Sequence, residues 1–254
     1  DCSDLPVGAV VQARLGWQEY ALIDMSHHPA PFFLPTDLPL SHGIGAVSLS
    51  GITALVGIRD IGNVKPDDRI LVSGAAGGVG SHVAAIAKAL GAQKVAGVTG
   101  GAEKCRRLRS EMHYDQVIDY QNEDIDEALP IIFPDGIDVY FDNVGGEILD
   151  AALLNMNKDS TLLFCGTIST YNATEPVPGP YNYWQILART ITVKGYLVSD
   201  HYHRIAEGQA ALSEWVKDDK LKFREHINEG IENCLDTYNL LFTGGNEGKL
   251  MLKL

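Results

Sequence analysis

The sequence predicts an α/β fold built on a doubly wound parallel sheet. Two observations carry this prediction. From residue 69 onward, short apolar segments alternate with amphipathic segments, and a glycine-rich turn joins the first strand of this series to its helix. Strands that alternate with helices build a parallel sheet with helices on both faces. A hydrophobic fraction of 45% and 26 glycines in 254 residues are typical of such a globular domain.

The predicted elements follow in order along the chain. Residues 5–25 are strand-rich, residues 27–39 form a proline-rich linker, and apolar spacing predicts a helix over 48–61. Predicted strands lie near 70–73, 94–98, 116–119, 137–142, 160–165 and 191–198, and predicted helices near 79–90, 102–111, 123–131 and 145–155. The last predicted elements are a helix at 204–218, a strand at 222–228, a helix at 230–242 and a strand at 249–254.

The glycine-rich turn has the spacing Gly74-x-x-Gly77-x-x-Gly80. Glycines let the backbone approach a pyrophosphate closely, and the N-terminus of the following helix offers free N–H groups and a positive dipole end. The same letters would also suit a bare tight turn. The strand before the turn and the helix after it favour a dinucleotide phosphate site.

The end of the second parallel strand indicates which dinucleotide binds. A fold that prefers NAD usually carries Asp or Glu there to bind the ribose hydroxyls, whereas this chain has Thr99-Gly100-Gly101. Four cations follow within six residues, Lys104, Arg106, Arg107 and Arg109. Cations suit a 2′-phosphate, so the sequence favours NADP(H). The alternative is an ordinary solvated helix face.

Composition excludes several classes of partner. The net charge of −13 argues against a nucleic-acid or membrane-surface protein, since both need a basic face. No run of 18 apolar residues is present to span a membrane. The cysteines Cys2, Cys105, Cys165 and Cys234 are scattered, which predicts reduced thiols, a cytoplasmic protein and no compact zinc cluster.

Six segments carry a family resemblance, and the run Asp-Val-Tyr-Phe-Asp-Asn-Val-Gly-Gly at 138–146 is the most specific of them. The segments are residues 75–81, 103–105, 119–120, 136–146, 165–172 and 246–249. They resemble the medium-chain dehydrogenase/reductase superfamily over essentially the whole chain. More narrowly, they resemble its zinc-free group of leukotriene B4 dehydrogenases, prostaglandin reductases and alkenal double-bond reductases.

The resemblance implies a division into domains. Residues 1–45 are expected to be the remainder of a GroES-like, β-rich catalytic domain whose earlier strands are missing from this sequence. Residues 46–226 are expected to form the NADP-binding Rossmann domain, and residues 227–254 to return to the catalytic domain. A homodimer is the expected assembly.

The resemblance also implies the residues that bind the cofactor. The pyrophosphate residues are Gly77, Gly78, Val79, Gly80 and Ser81, and the 2′-phosphate residues are Lys104 and Tyr120. Those over the cofactor and on its nicotinamide side are Asn143, Cys165, Gly166, Thr167, Ile168, Ser169, Tyr171, Tyr196, Leu197 and Val198, and Asn246 contacts it from the C-terminal segment. No metal ligand is implied, and His27, His28, His42, His201 and His203 are interpreted as ordinary histidines.

The chain departs from the family pattern at the proton donor. Several members carry a tyrosine eight residues before the position of Tyr196, where this chain has Ala188. Tyr171 is the catalytic side-chain candidate that remains, beside water, a ribose hydroxyl or a residue outside this sequence. Aromatic residues just upstream of Ala188, namely Tyr181, Tyr183 and Trp184, suit either the wall of an apolar substrate pocket or a subunit contact.

Together these observations predict an NADPH-dependent reductase of the carbon–carbon double bond of α,β-unsaturated ketones or aldehydes. Hydride would pass to the β-carbon of a small apolar carbonyl substrate. The alternatives are an NADPH quinone reductase and a non-catalytic NADPH-binding protein.

Overall fold

The computed structural model describes residues 5–24 and 31–254. Its centre is a six-stranded parallel sheet with the strand order β5-β4-β3-β6-β7-β8. These strands are β3 (Arg69–Ser73), β4 (Lys94–Thr99), β5 (Gln116–Asp119), β6 (Ile137–Asp142), β7 (Met156–Phe164) and β8 (Thr192–Gly195). The doubly wound parallel sheet expected from the sequence is confirmed.

Helices cover both faces of the sheet. They are α1 (Leu40–Ile44), α2 (Leu49–Leu55), α3 (Gly80–Ala89), α4 (Ala102–Glu111), α5 (Ile125–Ile132), α6 (Gly146–Asn155), α7 (Trp184–Ala188), α8 (Ile205–Lys217) and α9 (Cys234–Thr243). In β3, Ile70 and Val72 pack in the core with α2, α3, α4 and α8, whereas Leu71 between them packs in the core with α5 and α6. Burial on both faces explains why this strand reads as a continuous apolar run.

Two small sheets flank the central one. A parallel pair joins β9 (Glu225–Glu229) to β10 (Lys249–Lys253), with Lys249 opposite Glu225. Among the described residues of 5–25, only β1 (Val11–Gln12) is a strand, and it pairs with β2 (Phe32–Phe33). The expectation that this segment is strand-rich was therefore wrong for the part that the structure describes, and Met25 lies outside it.

The other differences from the predicted elements are local. The predicted helix over 48–61 is α2 followed by a π-helix, Val56–Ile61. The strand predicted at 160–165 begins earlier, at Met156. Met156 pairs with Ile137 of β6, and after a bulge, where the register shifts, Thr161 pairs with Val139. The strand predicted at 191–198 is only β8, since a 3₁₀ helix starts at Val198.

Candidate cofactor site

The strand order places the candidate site at the middle of the sheet. Strands β3 and β6 are neighbours, yet the chain runs outward from β3 through β4 to β5 before it returns to β6. The carboxyl ends of β3 and β6 therefore form a topological switch point. In open α/β sheets, ligands bind in the crevice outside such a point.

The glycine-rich turn lies at this point, between β3 and α3. A Cβ added at Gly80 would stand 2.3 Å from the carbonyl oxygen of Gly74, so only glycine allows this close approach. No side chain caps the start of α3, and the Ser81 amide donates to the Gly77 carbonyl. The Gly77 amide donates to the Gly74 carbonyl at 2.9 Å, whereas the amides of Gly78, Val79 and Gly80 have no acceptor among the described residues and are available to a phosphate.

Lys249 lies against this turn, although the sequence reasoning gave it no role. Its Cδ is 3.7 Å from the position of a Cβ at Gly78. Burial lowers the pKa of the Lys249 ammonium, and no hydrogen bond or ion pair satisfies it within the described residues. A mostly buried cation without a partner is costly. Residue 249 belongs to segment 246–249, one of the six segments that carry the family resemblance. This resemblance is the sequence signal that could have identified Lys249.

The C-terminal segment is held to the turn by the backbone. The Gly248 amide donates to the Ala76 carbonyl at 3.0 Å, and the Lys249 amide donates to the Arg224 carbonyl at 2.9 Å. The Asn246 side-chain amide donates to the Gly248 carbonyl at 3.2 Å. The structure therefore brings Asn246 and Lys249 to the glycine-rich turn, which lies more than 160 residues earlier in the chain.

The end of β4 carries no free carboxylate. Tyr120 lies over Gly100, where an added Cβ would meet its ring at 3.0 Å. The nearby Asp119 is engaged by the Gly101 amide at 2.8 Å and by the Gln121 and Asn122 amides. Burial favours a higher pKa for Asp119, but these hydrogen bonds outweigh it and hold the pKa below its usual value.

Of the four cations predicted to favour a 2′-phosphate, two are paired with carboxylates among the described residues, Arg106 and Arg107. Arg106 and Arg107 bind Glu103, whose pKa the hydrogen bond from Arg106 chiefly lowers to about 2, and Arg107 also pairs with Glu247. Arg109 donates to the Val117 carbonyl at 3.2 Å.

Lys104, like Arg109, has no carboxylate partner among the described residues, and it lies beside the glycine-rich turn. Its ammonium donates to the Gly244 carbonyl at 2.5 Å, and burial lowers its pKa. It also lines a small cavity together with Ala76, Arg107, Arg224 and Glu247. A neutral carbonyl is a weaker partner for an ammonium than a phosphate, so Lys104 can exchange one for the other.

The predicted nicotinamide-side residues converge at the ends of β6 and β7. The Cys165 and Gly166 amides donate to the Asp142 carbonyl, and the Ile168 amide donates to the Asn143 carbonyl. The Asn143 side chain is partly occupied by a contact within the protein, since its amide group donates a hydrogen bond to the Ser73 carbonyl at 2.7 Å. Thr167 and Ser169 border the turn at Gly145, and the Tyr171 hydroxyl is 3.6 Å from a Cβ at Gly166.

Tyr196 turns its side chain away from this crevice. Its hydroxyl donates to the Thr53 carbonyl at 2.8 Å, where α2 passes into the π-helix. A Cβ at Gly57 would stand 2.3 Å from that hydroxyl, so the ring fills a groove that glycine leaves open. Leu197 is exposed, and Val198 packs against the core. Tyr196 and Val198 can therefore face a ligand only through their backbone.

The aromatic residues upstream of Ala188 lie at the surface. Tyr181, Tyr183 and Trp184 are all exposed, as is Leu187 in α7. Within the described residues no three His, Cys, Asp or Glu side chains are grouped to hold a metal ion. His42 packs edge-on against Phe223, whereas Cys2, His27 and His28 lie outside the described residues. None of the described helices is both long and apolar enough to cross a bilayer.

Comparison with known proteins identifies relatives along the whole chain. A family model described as zinc-binding dehydrogenase matches residues 78–215. The chain is 36% identical to the NADPH-dependent curcumin reductase of Escherichia coli over 262 residues, which covers 99% of this chain and 73% of the relative. It is 35% identical to the NADP⁺-dependent 2-alkenal reductase of Nicotiana tabacum over 243 residues, covering 95% of this chain and 70% of that protein.

A solved structure agrees with these relatives. CurA from Vibrio vulnificus in complex with NADPH superposes with a TM-score of 0.85 at 36% identity, over 94% of this chain and 71% of that one. The resemblance inferred from the sequence motifs is confirmed by these matches.

Proposed function

We propose that this chain, which belongs to the medium-chain dehydrogenase/reductase family, acts as an NADPH-dependent reductase of α,β-unsaturated ketones or aldehydes. The observation that carries the proposal is that relatives at 35–36% identity, over nearly the whole chain, are reductases of alkenals and curcumin. The absence of a carboxylate at the end of β4, beside Lys104, supports NADP(H) as the cofactor.

The cofactor supplies the hydride, and this chain's residues bind and orient it. We assign the pyrophosphate to the turn Gly77–Ser81 and to the ammonium of Lys249. The 2′-phosphate is assigned to Lys104, with Tyr120 beside it. Asn246 completes this side of the cofactor from the C-terminal segment.

The opposite half of the crevice is assigned to the nicotinamide and the substrate. Asn143, the loop 165–171 and the backbone of 196–198 would border the nicotinamide. The apolar side chains of this region would exclude water and hold the β-carbon of the enone near the hydride donor, which is how orientation contributes to rate. The exposed aromatic residues Tyr181, Tyr183 and Trp184 suit either this pocket or a subunit contact.

Protonation of the α-carbon is assigned to solvent or the cofactor rather than to Tyr171. Tyr171 is 62% exposed, so water has access to the place where its hydroxyl would act. We expect Tyr171→Phe to retain kcat within about threefold, since general acid catalysis by a side chain contributes about 10²–10⁴-fold. Steady-state kinetics and an NADPH titration of the same variant give the measurement. Loss of turnover with unchanged NADPH affinity would instead make Tyr171 the donor.

Lys249→Met is expected to weaken NADPH and NADH binding by the same factor, about tenfold, because both cofactors carry the pyrophosphate. The same change removes a buried charge without a partner, so the cofactor-free protein should unfold at a higher temperature. Fluorescence titration and thermal unfolding measure the two effects. Lys253→Met on the same strand is the matched control, since Lys253 is exposed and pairs with Glu229. A lowered melting temperature with unchanged affinities would assign Lys249 a structural role only.

The domain division and the assembly are also proposals. Residues 46–226 would form the NADP-binding domain, and residues 1–45 and 227–254 would belong to a catalytic domain. A homodimer is supported by the exposed edge strand β8, together with exposed Leu187 and Leu197. The reduced state of Cys105, Cys165 and Cys234 suits a cytoplasmic enzyme.

The decisive experiment follows NADPH oxidation by the purified protein with enones and with quinones, and NADP⁺ reduction with saturated alcohols. Consumption of NADPH with enones and formation of the saturated ketone support the proposal. Turnover with quinones alone makes the protein a quinone reductase, and tight NADPH binding without any turnover makes it a binding protein.

A further inference from the structure

The two oxygens of one carboxylate at the switch point have very different hydrogen bonding. Asp142, the last residue of β6, is fully buried. One of its oxygens, Oδ1, accepts four hydrogen bonds, from the Ser73 hydroxyl, the Tyr140 hydroxyl and the amides of Val144 and Gly145, at 2.8 to 3.0 Å. The other oxygen, Oδ2, is buried and has no partner. None of the ion pairs of the described residues includes Asp142.

The position of Asp142 connects the two halves of the candidate site. Through Ser73 it touches the end of β3, from which the glycine-rich turn starts. Its own carbonyl accepts the amides of Cys165 and Gly166, at the end of β7. Burial raises the pKa of the Cys165 thiol, and although a hydrogen bond with Tyr196 opposes this, the negative charge of Asp142 adds to the rise. Asp142 is therefore within electrostatic range of the loop that begins at Cys165.

The direction in which a dinucleotide lies across the crevice decides what this charge faces. The glycine-rich turn receives the pyrophosphate, and Lys104 with Tyr120 marks the adenosine half on the side of β4 and β5. The other half must extend toward β6 and β7. The nicotinamide ring therefore comes to the side of the sheet where Asp142 is buried without a cation.

The chemistry of hydride transfer changes the charge of that ring. A hydride, which is one proton with two electrons, would leave the reduced nicotinamide and form the new bond to the β-carbon of the enone. The α-carbon would then take a proton from solvent or from a hydroxyl group of the cofactor. The ring, neutral before the step, carries one positive charge after it. A buried negative charge nearby lowers the energy of the charged ring in a medium that screens poorly.

We infer that Asp142 is a positioning residue with an electrostatic role: its uncompensated carboxylate stabilises the oxidised, cationic nicotinamide and so favours hydride donation. The inference rests on the proposed function for the placement of the cofactor in the crevice and for the direction of the reaction. The four hydrogen bonds fix the carboxylate in place, and the bare Oδ2 leaves its charge without a nearby counter-ion.

The test measures dissociation constants for NADP⁺ and NADPH in the unchanged protein and in Asp142→Asn. The ratio of the two dissociation constants reports the shift in the reduction potential of the bound cofactor. Substitution of a residue with a purely structural role would leave this ratio unchanged. We expect NADP⁺ to weaken about tenfold more than NADPH in Asp142→Asn, which is about 1.4 kcal/mol. Asn keeps the shape and an acceptor oxygen for the four donors, so the charge is the main change.

Two control variants separate charge from geometry. Ser73→Ala removes one hydrogen bond to Asp142 but keeps the carboxylate, so it should not weaken NADP⁺ relative to NADPH, and the loss of one donor should shift the ratio slightly in the opposite direction from Asp142→Asn. Asp138→Asn removes a carboxylate from the other end of the same strand, where Arg69 and Asn157 bind it, and should leave the ratio unchanged. Equal weakening of NADP⁺ and NADPH in Asp142→Asn, or the same ratio change in Ser73→Ala, overturns the inference.

The outcome stays distinguishable from that of the proposed function. A protein that binds NADPH but reduces no enone would refute the proposed function and leave the ratio measurement intact. Should Asp142→Asn fail to fold, Tyr140→Phe tests the same charge, since it removes one of the four donors and leaves the carboxylate less neutralised. NADP⁺ should then bind about twofold to threefold more tightly relative to NADPH, and an unchanged or opposite ratio overturns the inference.

Discussion

Lys104→Ala is expected to weaken NADPH binding by about tenfold or more and to leave NADH binding nearly unchanged. Arg106 and Arg107 are held by Glu103 and Glu247, and of the two cations of the cluster without a carboxylate partner in the described structure, Lys104 lines the cavity beside Ala76 whereas Arg109 donates to the Val117 carbonyl. Losing one charge-assisted phosphate contact costs about 1.5–3 kcal/mol. NADH lacks the 2′-phosphate, so it has no such contact to lose.

The measurement is a fluorescence titration with both cofactors, together with competition by adenosine 2′-monophosphate. This probe carries the 2′-phosphate but no pyrophosphate, so Lys104→Ala should weaken it while Lys249→Met should not. Arg106→Ala is the matched control on the same helix, because Arg106 is exposed and already paired with Glu103. An equal loss of NADPH and NADH affinity in Lys104→Ala would contradict the assignment of the 2′-phosphate.

The sequence was sufficient for the elements whose signal is local. Strands β5 and β6 and helix α4 have the predicted bounds, because each is a short apolar or amphipathic segment closed by polar or glycine residues. The end of β8 could not be predicted in this way. Tyr196 continues the apolar run of the strand in the sequence. In the fold its hydroxyl donates a hydrogen bond to the Thr53 carbonyl, and the chain leaves the sheet at this point.

The candidate site shows the same limit. The glycine-rich turn is a local signal, and it was found. The number of cations near Lys104 was also local, but their availability depends on Glu247, which is 140 residues away from Arg107 in the chain. Asp142 accepts the Gly145 amide at 2.9 Å, a contact between residues three apart. That Ser73 and Tyr140 share the same oxygen, and that Oδ2 is bare, depends on how β3 and β6 meet.

Acidification from pH 6.5 to pH 4 is expected to remove about 3 kcal/mol of stability through a single side chain, His82. This residue follows the glycine-rich turn in the first turn of α3 and is fully buried. Its ring stacks on Phe223, and its Nε2 has no hydrogen-bond partner. Burial is the main cause that lowers the pKa of His82 to about 4, and the nearby charge of Lys249 acts in the same direction.

The sign follows from the two pKa values. In the unfolded chain His82 takes up a proton below its ordinary pKa of 6.5, whereas in the folded protein it stays neutral down to about pH 4. Between these values the unfolded state binds more protons, so the free energy of unfolding falls as the pH falls through this window. Each pKa unit corresponds to about 1.4 kcal/mol, which gives the expected total of about 3 kcal/mol.

Chemical denaturation at pH 7.0, 6.0, 5.0 and 4.5 measures this loss, and comparison with His82→Leu isolates it. Carboxylates also titrate in this range, but their contribution is common to both proteins and cancels in the difference at each pH. The unchanged protein should lose stability relative to His82→Leu as the pH falls. His203→Gln, at an exposed histidine, is the matched control and should follow the unchanged protein. Parallel pH profiles for His82→Leu and the unchanged protein would show that His82 does not remain neutral in the fold. The protonated ring would then be tolerated at its buried position against Phe223.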